Sequence, residues 1–225
     1  MNKNKIYVGY DDLQDIAYNV CDYSIKKHSA IDVEIEKINN KTIDGYDRDH
    51  DPLASTPFTY ARFYIPFIND YNGFSIFCDG DFLFIDDIKK LIDLFDPKYA
   101  VQVVKHDYTP SNTIKMNDKV QSIYPKKNWS SLILWNNEHP KNKQLTLDLL
   151  NKATGSFLHQ FKWLNDDDDI GYIPYEWNWL VGWYEETENA KPRALHFTEG
   201  GPWLKDADNV YDDLWLNYRN NLILK

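Results

Sequence analysis

The sequence predicts an α/β fold, a mostly parallel central sheet flanked by helices in a single domain over residues 1–225. Three features carry this expectation. The chain opens as strand, helix and strand, with IYVGY, then DDLQDIAYNVCDYSIKKHS, then IDVEIEKI. Such a unit makes its strands parallel and puts its first loop at the carboxyl edge of the sheet. An apolar run, FSIFC, ends in Asp79-Gly80-Asp81 and leads into a helix, and the carboxyl end of such a strand is where open α/β sheets bind ligands. Strands and helices keep alternating beyond it, with no internal repeat and no Gly/Ser linker, and 225 residues suffice to bury a full core.

Each element follows from its pattern. In the first helix Ile16, Val20, Tyr23 and Lys27 share a face, and Asp12 or Asp15 supplies the cap. Residues 31–38 alternate apolar and charged side chains, as a half-buried strand does. Residues 39–57 are polar and turn-rich and read as a surface loop. FTYARFYIPFI reads as a helix interrupted by Pro66, and DDIKKLIDLF as a helix that starts after Phe84 and stops at Pro97. AVQVVKH is a strand, residues 107–128 are a long loop, and WSSLILWN is a further strand. KNKQLTLDLLNKAT follows as a helix ended by Gly155. From Phe157 come a helix, an acidic loop, a short strand at IGYIP and an aromatic helix or turn, and YDDLWLNYRNNLIL closes the chain as a helix.

Composition narrows the partners. A net charge of −10 with no Lys/Arg block argues against a nucleic-acid backbone as ligand, since that binding rests on a basic face. Two cysteines, Cys21 and Cys78, in apolar or helical contexts suggest buried thiols, with neither a disulfide framework nor a zinc site. The start, MNKNKIYVGYDD, carries no apolar leader, and no apolar stretch approaches the ~20 residues of a membrane span, so a cytoplasmic location with no transmembrane segment is expected. Eight Trp and sixteen Tyr, several between residues 163 and 184, serve either as core packing or as platforms for sugar rings.

The chemistry centres on the Asp-Gly-Asp. Strand residues two apart share a face, so Asp79 and Asp81 can converge on one point, and Gly80 lets the backbone come close. Two such carboxylates repel each other unless a divalent cation with a preference for oxygen ligands sits between them. The competing reading is a turn in which Asp caps the next helix. An EF-hand is not supported, because the Gly and Glu spacing is missing.

FTYARFYIPFINDYNGFSIFCDGDFLFIDDI resembles the signature block of glycosyltransferase family 8 and its relatives of the GT-A fold: an Ala-Arg helix, an apolar strand ending in the metal-binding D-x-D, and an Asp-Ile opening a helix. VGYDDLQDIAYNVCDYSIKKHS, NWSSLILWN and ALHFTEGGPW are similar to further family blocks in the same order, so the resemblance runs from about residue 6 to about residue 205. It implies a metal-dependent, retaining transfer of a sugar from a UDP-linked donor to a hydroxyl acceptor. It implies Mn²⁺ (or Mg²⁺) held by Asp79, Asp81 and His196, with Asp79 also near the ribose, Asp11 at the uracil and Tyr10 stacked on it. Arg62 is expected by the donor sugar and diphosphate, and Asp168 or Asp169 by the reaction centre. Residues 1–100 would form the nucleotide-binding half and residues 101–225 the acceptor side.

The final block departs from the family where a Lys would contact the diphosphate, since Gly201 stands there. Gly80 counts among the expected cofactor-binding residues, and either the backbone of Gly200 and Gly201 supplies phosphate donors or Lys205 reaches back. The strand at residues 129–136 has Ser130-Ser131 in place of Asn-Ser-Gly, which leaves the acceptor side open. Two other functions fit less of the sequence. A sugar nucleotidyltransferase would bring a basic glycine-rich loop near the amino terminus, which VGYDDLQD lacks, and a carbohydrate-binding protein with a structural Ca²⁺ would be indifferent to Mn²⁺.

Overall fold

A computed structural model describes residues 4–52, 54–107, 114–115, 119–120, 126–205 and 207–224. Most of the long loop expected at 107–128 lies outside the described residues. The central sheet joins β1 (Asn4–Gly9), β2 (Val33–Ile38), β3 (Phe74–Cys78), β5 (Val101–Val103), β8 (Leu132–Asn136) and β9 (Ile170–Tyr172) in the order β2-β1-β3-β8-β5-β9. β1 runs parallel to β2 and β3, and β5 parallel to β9; β8 runs antiparallel to both of its neighbours. The sheet is therefore mostly parallel, with β8 the reversed strand among those described.

Period-two alternation sends the sheet's side chains into two cores. Ile6, Val8, Ile76, Cys78, Leu132 and Leu134 meet Tyr18, Cys21 and Ile25 of α1 (Asp15–His28) on one face. Tyr7, Phe77, Ile133 and Trp135 meet Phe63, Tyr64, Phe161 and Trp163 on the other. A three-stranded sheet lies beside the first core, in which β11 (Ala194–His196) pairs in parallel with β10 (Trp179–Leu180) and antiparallel with β4 (Phe82–Phe84). Its other side packs against α6 (Asp212–Ile223) through Leu83, Trp179, Leu195 and Trp215. A two-stranded ribbon, β6 (Ile114–Lys115) with β7 (Lys119–Val120), completes the described strands.

Several expected boundaries shift for local reasons. The Ala-Arg helix is a 3-10 turn at Ala61–Tyr64 that runs into α2 (Ile65–Ile68), where Pro66 occupies the first turn and its missing N–H is harmless. Phe82–Phe84 is a strand because β11 pairs with it, so α3 (Ile88–Ile92) begins later, capped by Asp87, whose carboxylate accepts from Lys89 N–H at 3.0 Å. Gly155 opens a helix and does not end one: α4 (Leu147–Lys152) stops first, and Thr154 caps α5 (Gly155–His159). Cys21 and Cys78 are both buried free thiols. Among the described residues no helix is long and apolar enough to cross a membrane.

Candidate active site

The carboxyl ends of β1 and β3 open onto a cleft of about 840 Å³, its mouth included. Two backbone hydrogen bonds hold the Asp-Gly-Asp there. Asp79 N–H donates to Ser131 C=O at 2.9 Å, and Phe197 N–H donates to Asp81 C=O at 3.1 Å, so the turn is tied to both flanking segments. Gly80 is where the loops after β1 and β3 nearly touch; a Cβ on it would lie 2.3 Å from Gly9 O. No larger residue fits without moving one loop.

Asp79, Asp81 and His196 offer ligand atoms within 4.8 Å of one another. His196 is 2% exposed, its ring stacked on Phe82 at 4.4 Å between centroids and 19° between planes. Its Nε2 lies 3.4 Å from Asp81 Oδ1, while its Nδ1 lies 2.8 Å from Asn178 Oδ1. Two carboxylates and an imidazole make a donor set suited to a divalent ion of manganese type, with coordination positions left over for substrate oxygens. The residues fit the ion that the sequence implies.

Arg62, 6% exposed, brings its guanidinium to the same place. Nη1 lies 2.8 Å from Asp79 Oδ1 and donates to Ser130 C=O at 2.8 Å, and the buried Nε makes no hydrogen bond to the described residues. Asp11 lines the cleft, and its Oδ1 caps the 3-10 turn Asp12–Gln14 by accepting from Leu13 N–H at 3.0 Å. Asp11, Arg62, Asp79, Gly80, Asp81 and His196 thus line one cleft.

Other expected site residues lie elsewhere. Tyr10 does not line the cleft; its hydroxyl donates to Asp15 Oδ1 at 2.9 Å, Lys37 Nζ sits 3.9 Å from its ring centroid, and Tyr18 packs edge-on against it. The hydrogen bond to Asp15 pushes its hydroxyl pKa up to about 12. Asp168 and Asp169 precede β9, at the amino end of the parallel strands: Asp169 C=O accepts from Ala100 N–H at 2.9 Å, and its carboxylate pairs with Lys141. Neither residue lines the cleft, because β9 starts directly after the acidic run and leaves those carboxylates behind. Gly200 has φ of +113°, and its N–H is committed to Phe197 C=O at 2.8 Å, closing a turn, so it is no spare phosphate donor. Gly201 lies against the Trp203 ring, and Lys205 is exposed; both are outside the cleft lining.

Residues that carry no motif surround the metal set. Phe58, Ser55, Thr56 and Asn128 form part of the wall. Ser130 Oγ lies 2.9 Å from His159 Nδ1 of α5, which brings that helix next to Arg62. His106 is buried beyond the sheet's carboxyl edge, its Nδ1 2.8 Å from Tyr184 Oη. Burial, then the charge of His196, lowers its pKa to about 3. Of these residues the sequence singled out only Ser130-Ser131, as a departure from the family pattern, and nothing local shows that Ser131 meets Asn178.

The chain matches no family model. Its architecture is that of GT-A glycosyltransferases. The apo form of glycosyltransferase GlyE from Streptococcus pneumoniae TIGR4 superposes with a TM-score of 0.63 at 14% identity, over 97% of this chain and 60% of that one. Galactosyltransferase LgtC in complex with donor and acceptor sugar analogues gives 0.59 at 14% identity, over 96% and 95%. A glycosyltransferase involved in glycosylation of the major capsid of PBCV-1 gives 0.54 at 10% identity, over 99% and 100%. At these identities the likeness is one of fold, and the chain spans about 60% of GlyE. Protein CDI of Arabidopsis thaliana is 48% identical over 221 residues, 95% of this chain and 85% of that protein. The chain belongs to the family of Protein CDI.

Proposed function

We propose that the protein is a metal-dependent glycosyltransferase that moves a sugar from a UDP-linked donor to a hydroxyl acceptor with retention of configuration. The observation that carries this reading is the convergence of Asp79, Asp81 and His196 with Arg62 and Asp11 in one cleft at the carboxyl edge of the sheet. The fold shared with GlyE and LgtC supports it.

Asp79, Asp81 and His196 would hold Mn²⁺ or Mg²⁺, which supplies charge neutralisation for a departing diphosphate. Arg62 is anchored by Asp79 and the Ser130 carbonyl, so it meets substrate without reorganising, and its Nε is a donor left for a diphosphate or sugar oxygen. Asp11, in the same cleft, would accept from the base. With Gly200, Gly201 and Lys205 outside the cleft lining, Arg62 would take the phosphate contact that the resemblance gives to a Lys. Asp168 and Asp169, outside the cleft lining, are assigned no role at the anomeric centre.

A screen of nucleotide sugars for Mn²⁺-dependent hydrolysis tests the reading, because slow transfer to water needs no acceptor. Release of UDP from one sugar donor, abolished by chelator, is expected. No turnover of any nucleotide sugar, joined with Mn²⁺-independent binding of free glycans, would favour a carbohydrate-binding protein.

A further inference from the structure

A chain of buried polar groups runs from the backbone to His196. Ser131 Oγ lies 2.7 Å from Asn128 C=O, Asn178 Nδ2 lies 2.9 Å from Ser131 Oγ, and Asn178 Oδ1 lies 2.8 Å from His196 Nδ1. Asn178 is fully buried, Ser131 is 3% exposed and His196 2%. These groups are shielded from bulk solvent, and the direction of each hydrogen bond follows from its partners.

A carbonyl only accepts, so the single hydroxyl proton of Ser131 points to Asn128 C=O. Towards Asn178 the Ser131 oxygen must then accept, which turns the amide NH₂ of Asn178 to it and the amide oxygen to the imidazole. His196 Nδ1 faces an acceptor and has to carry a proton. In the neutral ring this leaves Nε2 bare, with its lone pair towards Asp81 Oδ1 at 3.4 Å. Two atoms that can only accept, set face to face, form half of a cation site and a poor contact without a cation. Were Asn178 absent, the ring would relieve the contact by moving its proton to Nε2 and donating to Asp81.

We infer that Asn178 is a positioning residue that locks His196 in the Nδ1–H tautomer, presenting Nε2 for metal. Outer partners of this kind govern metal affinity because they fix both tautomer and ring orientation. Neither the D-x-D nor the histidine block contains Asn178, which lies eighteen positions before His196 and reaches it through the pairing of β10 with β11. The consequence for metal affinity rests on the proposed function; the tautomer does not.

The test uses ¹⁵N-histidine NMR of the metal-free protein at a pH about two units above the ordinary histidine pKa. His196→Gln assigns the signal, and Mn²⁺ titration followed by electron paramagnetic resonance runs in parallel. The wild type is expected to hold the proton on Nδ1. Asn178→Leu is expected to move it to Nε2 and to weaken Mn²⁺ binding about 10- to 100-fold. Asn178→Asp keeps an acceptor at Nδ1 and is expected to restore both readings. A wild-type ring protonated on Nε2, or an Asn178→Leu variant with unchanged tautomer and Mn²⁺ affinity, overturns the inference. A Leu variant that does not fold leaves the decision to the wild-type spectrum and the Asp variant. A wild type that binds no Mn²⁺ yet carries the Nδ1 proton overturns the metal reading of the function and leaves the role of Asn178 standing.

Discussion

Asp81 has the plainest task of any residue in the cleft. Its backbone carbonyl holds Phe197, and its carboxylate faces His196, so the side chain can change while the turn keeps its tie. Asp81→Asn is therefore expected to lose at least about 100-fold in Mn²⁺ affinity, more than is usual for an outer partner, with the melting temperature within a few degrees of wild type. Paramagnetic resonance of free Mn²⁺ and calorimetric unfolding measure the two effects. An unchanged affinity would reduce the Asp-Gly-Asp to a turn. The sequence showed Asp79, Asp81, Arg62, Asp11 and His196, because each sits in a motif with a recognisable order. It did not show the contacts made by Asn178, Ser131 and His159, which join residues distant in the chain.

At the scale of elements, the site depends on how closely the loops after β1 and β3 approach. Gly80→Ala would put a methyl group 2.3 Å from Gly9 O, and neither backbone can yield without moving Asp79 or Asp11. A loss of about 1–3 kcal/mol in stability, typical of overpacking, is expected with weakened Mn²⁺ binding. Urea unfolding and Mn²⁺ titration of the variant check this, and a variant as stable as wild type would show that the loops have slack. The long apolar strands and α1 were legible because their side chains alternate or share a face. The short pieces were not. β4 exists because β11 pairs with it, and Gly155 starts α5 because Thr154 caps it, so tertiary pairing and a single hydroxyl decided what periodicity could not. The charge run before β9 misled for a related reason. A match in residue type fixed no register, and the strand begins immediately after the last aspartate.

For the molecule as a whole, the buried His106 ties stability to pH. Its folded-state pKa is lowered to about 3, first by burial and then by His196, against an unfolded value near 6.5. The unfolded chain thus binds the proton more readily, and the contribution is fully present above about pH 6.5 and lost as pH falls towards 3. Between about pH 6 and 4.5, above the carboxylate range, the melting temperature is expected to fall with pH. His106→Gln should flatten that slope, and an equal slope in both proteins would mean that the histidine is not held neutral. The larger claim is that one cleft joins a metal centre to a nucleotide site, and it is tested most directly by calorimetric titration of UDP into the protein with and without Mn²⁺. Tight binding that needs Mn²⁺ and disappears in Asp81→Asn is the expected result; UDP binding of equal strength without the ion, or none in its presence, would contradict it.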